Sequence, residues 1–138
     1  MNRRELQELA RIRIDEARVL LRARKYDGAY YLAGYAVECA LKACIARSTK
    51  RFDFPDKKTV VDSHTHDLKQ LLRVAKLDGL LAQEVQAHPE FRSNWATVAN
   101  WSEQARYQLG HSEADAEALY AAITARKNGI LRWLKKYW

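Results

Sequence analysis

Prolines and glycines are scarce in this 138-residue chain: two and five, respectively. That scarcity argues against a turn-rich β-sandwich or barrel, which needs a turn signal every few residues. No stretch alternates polar and apolar residues for long, so a half-buried sheet is not expected either. There are only two cysteines, Cys39 and Cys44. Five residues apart on one helix, they point in different directions, which argues against a disulfide between them. Free thiols suit a reducing compartment, so a cytoplasmic protein is expected. Long apolar runs are absent too, and no bilayer span is expected. The first 25 residues carry eight Lys/Arg and no unbroken apolar run, which fits neither a signal peptide nor a membrane anchor. No phosphate-binding glycine loop, nucleophile elbow or paired-carboxylate signature is visible.

Apolar residues make up 48% of the chain and charged residues 30%, a globular balance. The formal charge is +7, which suits a polyanionic partner without identifying one. Apolar positions recur at helical spacing almost throughout. The expected fold is therefore all-α: one domain over residues 1–138, an up-and-down bundle of four to five helices.

Helix one is predicted from Arg3 to Arg24, with Leu6, Ala10, Ala17 and Leu21 on one face and Leu9, Ile14 and Leu20 at its flanks. "YDG" at 26–28 reads as a turn, with Asp27 able to cap the next helix. Helix two is predicted from Gly28 to Arg47. Ala29, Ala33, Ala36, Val37, Ala40 and Cys44 give it a face of small side chains that a neighbour can approach closely. Residues 48–64 read as the longest loop. Helix three starts near His66 with Leu68, Leu71, Leu72 and Ala75; Gly79 is expected to interrupt it and Pro89 to end it. "FRSNWATVANW" reads as helical, and Ser102 can cap a further short turn through Gln108. Ser112 with Asp115 starts a last helix presenting Ala116, Leu119, Tyr120, Ile123, Ile130 and Leu134 inward. Its acidic start and basic end suit the helix dipole, an adequate structural reason for those charges.

Three constellations stand out. Arg4, Arg11, Arg18, Arg22 and Lys25 form one stripe on helix one: either a solvated face or a ridge for phosphates. Tyr31, Tyr35, Glu38 and Lys42 stack along one line of helix two, with Glu38 and Lys42 spaced for an ion pair. They read either as a packing strip or as the wall of a binding cleft. His64 and His66 flank Thr65, but the cysteines complete no recognisable zinc set, so no metal is expected; a helix-start hydrogen bond from His66 or Asp67 is the simpler role.

The third is "RYQLGH" at 106–111. On a continuous helix Arg106 and His111 would diverge by about 140°. Gly110 in the left-handed conformation would end the helix and let His111 swing back over its last turn. Histidine can move a proton near neutral pH, and arginine can hold two phosphate oxygens. Such a pair can cut RNA without a metal or other cofactor, using the RNA's own 2′-hydroxyl as nucleophile.

"YDGAYYLAGYAVECALKACIA" at 26–46 closely resembles the second helix of HEPN domains. "HDLKQLL" at 66–72 is similar to their next helix, and "NWATVANWSEQARY" at 94–107 to the segment that leads into the family's arginine. The resemblance covers most of residues 5–136. It implies a compact helical bundle, usually a homodimer, concerned with RNA or nucleotides. Many such proteins are metal-independent ribonucleases that act as toxins, defence effectors or RNA-processing factors, and many sit beside a small nucleotidyltransferase. Their motif is an arginine followed, after four to six residues, by a histidine; Arg106 and His111 match it at the shortest spacing. Active members commonly carry Asn, Asp or His directly after the arginine, whereas Tyr107 stands here. Arg-Tyr resembles a branch that serves as a binding module, which makes Tyr107 a binding residue in that alternative. Position 113 is Glu, where some toxins carry a tyrosine that their antitoxin modifies. The four tryptophans add a second reason to expect a homodimer.

Overall fold

The computed structural model describes residues 1–49 and 53–138, and no strand occurs among them. Helix α1 spans Arg3–Arg22. Asn2 caps it: its side chain accepts from the Glu5 N–H while Glu5 accepts from the Asn2 N–H. The helix stops two residues before the predicted Arg24, which takes a left-handed φ of +59°. The chain returns as α2, Tyr26–Ser48. Residues 26–28 are thus not a turn. Asp27 lies in the first turn of α2 and not at its cap, and its carboxylate is left for other partners. Arg3 donates to the Trp138 carbonyl and Arg47 to the Lys136 carbonyl. The start of α1 and the end of α2 therefore share one end of the molecule, and the two helices form an antiparallel hairpin.

The small-residue face of α2 is buried as predicted: Ala33, Ala36, Val37 and Ala40 have no exposed surface. Gly34, Leu41, Ala43 and Ile45 are buried as well, so α2 is covered on nearly every side. On α1 only Ala10 and Ala17 are fully enclosed, while Leu6, Leu9 and Ile14 pack at the core's margin.

The predicted loop at 48–64 contains a short helix, α3, Lys57–Asp62, whose first turn is capped by Asp56; residues 50–52 of that loop lie outside the described residues. Asp67 caps α4, Leu68–Val74. The break that follows is not at Gly79. Lys76 takes a φ of +59°, and Gly79 sits inside α5, Asp78–Ala87. Pro89 opens α6, Pro89–Ala99, where its fixed φ and missing N–H suit the first helical position.

Residues Glu103–Tyr107 form a 3-10 segment. Ser112 then caps α7, Glu113–Thr124, by accepting from the Asp115 N–H. The predicted last helix is two: α8 spans Ile130–Leu134. Ala116, Leu119, Ile123, Ile130 and Leu134 are fully buried as predicted, and Tyr120 is half-buried. The all-α class holds, with the anticipated four to five helices divided into shorter pieces at these backbone breaks. No helix of the described residues is long and apolar enough to cross a membrane. Trp101, Trp133 and Trp138 are buried within the chain itself. They fill its own core, so they give no reason to expect a second subunit.

Candidate functional site

The 3-10 segment is fixed to α2 by a tryptophan lying on a glycine. A Cβ on Gly34 would fall 2.3 Å from the Trp101 indole, so the ring rests on bare backbone. Tyr31 flanks it, with ring centroids 6.2 Å from Trp101 and 6.0 Å from Tyr35. Ala105 is buried beneath the same segment. Arg106 projects outward from this platform. Its guanidinium lies 4.8 Å above the Tyr107 ring and 3.8 Å from the Glu103 carboxylate. The first is a cation–π contact; the second is a loose ion pair.

Beyond Gln108 the chain turns at Gly110, which takes the predicted left-handed conformation with φ +88°. His111 makes its contacts at the start of α2, where it stacks on Tyr30 with ring centroids 4.1 Å apart and planes within 18°. Asp27 accepts from the Gly110 N–H at 3.1 Å and from the His111 N–H at 2.8 Å. Its Oδ1 also lies 2.7 Å from the His111 Nδ1. The physical reason is the position of Asp27. Inside the first turn it caps nothing, and its carboxylate can gather three N–H donors from elsewhere. No hydrogen bond joins Arg106 to His111 among the described residues.

The main-chain N–H of His111, then that of Gly110, then the His111 ring hold the Asp27 carboxyl below its ordinary value. An ionised Asp27 accepts in this contact, so Nδ1 is the ring nitrogen committed to it. Nε2 takes no part in the contact with Asp27. A pocket of about 330 Å³ adjoins the ring, lined also by Arg24 and Lys25. Sequence reasoning did not connect Asp27, Tyr30 or Arg24 with His111; the only local signal was the acidic residue in "YDG".

The tyrosine strip of α2 faces the 3-10 segment. At its lower end Glu38 is almost wholly buried, with 1% exposed. Its Oε1 accepts from Lys42 Nζ at 3.0 Å and lies 2.8 Å from His66 Nδ1. The other ring nitrogen of His66 is 3.3 Å from Glu103. Polar side chains thus run in contact from Lys42 through Glu38, His66 and Glu103 to Arg106. The α4 helix-start bond comes from Asp67 alone, while His66 clamps α2 to the segment that carries Arg106. A cleft of about 520 Å³ opens beside this clamp, between residues 65–69 and 99–104.

On α1, Arg11 pairs with Glu8 at 3.4 Å and Arg18 with Asp15 at 3.3 Å. Arg11 also lies 5.0 Å above the Trp138 ring. Arg22 is exposed and pairs with no carboxylate among the described residues. The stripe exists, but its middle is partly neutralised by its own helix. Cys39 and Cys44 are free and buried. Burial pushes their thiols up to about 11 and about 12, so both are protonated at neutral pH and poor nucleophiles.

No match was found among curated proteins or among solved structures. The family model of the HEPN domain matches residues 4–137, nearly the whole chain. It joins in one unit the α2 strip, the His66 clamp, the Arg106 platform and the His111 turn. This chain belongs to the HEPN domain family.

Proposed function

We propose that this protein is a metal-independent endoribonuclease in which His111 moves the proton and Arg106 stabilises charge on phosphorus. The observation that carries the reading is the Asp27–His111 pair, whose 2.7 Å contact is made through Nδ1. In the proposed reaction Nε2 takes the proton of an RNA 2′-hydroxyl. The 2′-oxygen attacks phosphorus, the bond to the 5′-oxygen breaks, and that oxygen gains a proton. The products are a 2′,3′-cyclic phosphate and a 5′-hydroxyl. Arg24 and Lys25 supply positive charge beside the ring. A second copy of the chain completes the site: Tyr107 and Leu109, between the two motif residues, are 71% and 93% exposed. The two buried free thiols accord with a cytoplasmic location.

A labelled single-stranded RNA incubated with purified protein tests this. Cleavage should survive a chelator, leave cyclic phosphate ends and spare DNA, which lacks the attacking hydroxyl. Cleavage abolished by the chelator, or products with other ends, would contradict it.

A second reading is favoured by the state of Arg106. Its guanidinium is engaged by Tyr107 and Glu103 and not by His111. In that reading the chain is a non-catalytic RNA- or nucleotide-binding module acting with a nucleotidyltransferase. RNA bound but never cut, together with co-purification of such a partner, would favour it.

A further inference from the structure

At the far end of α7 from His111 the chain makes a second tight turn, residues 125–129. Three contacts fix it. A Cβ on Gly129 would fall 2.2 Å from the Ala125 carbonyl oxygen. Asn128 takes a left-handed φ of +59°. The Asn128 carbonyl accepts from Asn94 at 2.9 Å, and its side chain donates to Glu90 at 3.2 Å, both on α6. The turn is therefore braced against a neighbouring helix.

This turn and α8 bring Arg126, Lys127, Arg132 and Lys136 to one cleft of about 360 Å³. All four are exposed. None has a carboxylate within ion-pair distance among the described residues, unlike Arg11 and Arg18 on α1. Glu84 is the one carboxylate lining the cleft. The α7 dipole explains cations just past its C-terminus. Arg132, in the last turn of α8, and Lys136, just past its end, reach the same cleft from a separate element.

We propose that this cleft binds the phosphate backbone of RNA, as a contact separate from Arg106 and His111. The identity of the polyanion rests on the RNA reading given above. The chemistry favours phosphate. Two guanidinium forks match paired phosphate oxygens, and two ammonium groups add point charge. Phe91 and Trp133, which also line the cleft, are buried, and the four exposed cations share it with one exposed ring, His88. Binding there is therefore salt-dependent and tolerant of sequence. The twelve residues of α7 span about 18 Å.

Fluorescence anisotropy with a labelled single-stranded RNA of about 20 nucleotides, titrated at several salt concentrations, tests the cleft. The double variant Arg126→Glu/Arg132→Glu should bind at least about tenfold more weakly, with a salt dependence shallower by roughly two counterions. Arg126→Gln/Arg132→Gln should fall between it and wild type. These side chains are exposed and make no hydrogen bond among the described residues, so thermal melts should be unchanged. An RNA of about three nucleotides, too short to span both places, should lose less. Unchanged affinity in the double variant would overturn the proposal. So would an equal loss from Arg11→Glu/Arg18→Glu, which would reveal an effect of total charge, or equal binding of an acidic polypeptide. Binding is read without cleavage: a protein that binds through this cleft but never cuts would remove the ribonuclease reading and leave this one standing. A wild-type chain that binds no RNA at low salt would overturn the inference itself.

Discussion

Asp27 accepts from both the main-chain N–H and the ring of His111, 84 positions away in sequence, at 2.8 and 2.7 Å. The first turn of α2 thereby fixes the position of the proposed proton-transfer group and engages its Nδ1. It also closes the turn through Gly110, whose N–H joins the same carboxylate.

This arrangement gives a pH signature. The N–H donors hold the Asp27 carboxyl below its ordinary value of 3.8. Its contribution to stability is complete above that value and is lost as pH falls through the lower folded value. Asp27→Asn should therefore lower the urea midpoint at neutral pH. The difference from wild type should shrink below about pH 4. A difference constant down to strongly acid pH would show that the ionised carboxylate is not the anchor.

The resting place of Trp101 gives a steric signature. Gly34→Ala drives a methyl into the indole, 2.3 Å away where it cannot fit. Overpacking of this kind costs about 1–3 kcal/mol. Ala36→Leu and Ala40→Leu, on the fully enclosed face of α2, should cost a similar amount. Gly34→Ala should in addition shift the tryptophan emission, because it displaces the ring. Denaturation midpoints unchanged in all three would place the core elsewhere.

The Glu38 clamp predicts energetic coupling between α2 and the approach to α4. Glu38→Gln and His66→Ala each disturb the 2.8 Å contact, so their effects should not add. A double-mutant cycle should give an interaction of about 0.5–3 kcal/mol. An additive cycle would mean the contact contributes nothing to stability.

The periodic features of this chain were legible in its sequence; the contacts that connect them through space were not. The buried face of α2 follows from its 3.6-residue spacing, and Pro89 and Gly110 mark real breaks or turns. Arg24, Lys76 and Asn128 break helices without being glycine or proline. For Arg24 and Lys76 that conformation is costly alone and persists because surrounding packing fixes it, which leaves no local sign; Asn128 tolerates it, and Asn-Gly at 128–129 is a turn signal that the helical periodicity overrode. Gly79, the obvious local breaker, lies within α5 instead. Asp27 looked like a cap because a helix cap and a first-turn acid have nearly the same sequence. His66 meets Glu38 from 28 positions away, and such pairing has no period to read. Arg106 and His111 matched a spacing, but spacing does not say that each side chain finds a different partner.

Buried thiols supply a check on the core around α2. With burial raising Cys39 to about 11 and Cys44 to about 12, an aromatic disulfide reagent at mildly alkaline pH should label neither in the folded chain. Both should react once denaturant unfolds it. Rapid labelling of the native protein would show that α2 is not enclosed as described.

The central claim is that His111 transfers the proton in RNA cleavage. Its most direct test is the single-turnover cleavage rate of a labelled single-stranded RNA by wild type and by His111→Ala, purified side by side. Loss of a general base predicts a rate lower by about 10²–10⁴-fold in the variant, with RNA still bound. Equal rates for the two proteins would contradict the claim.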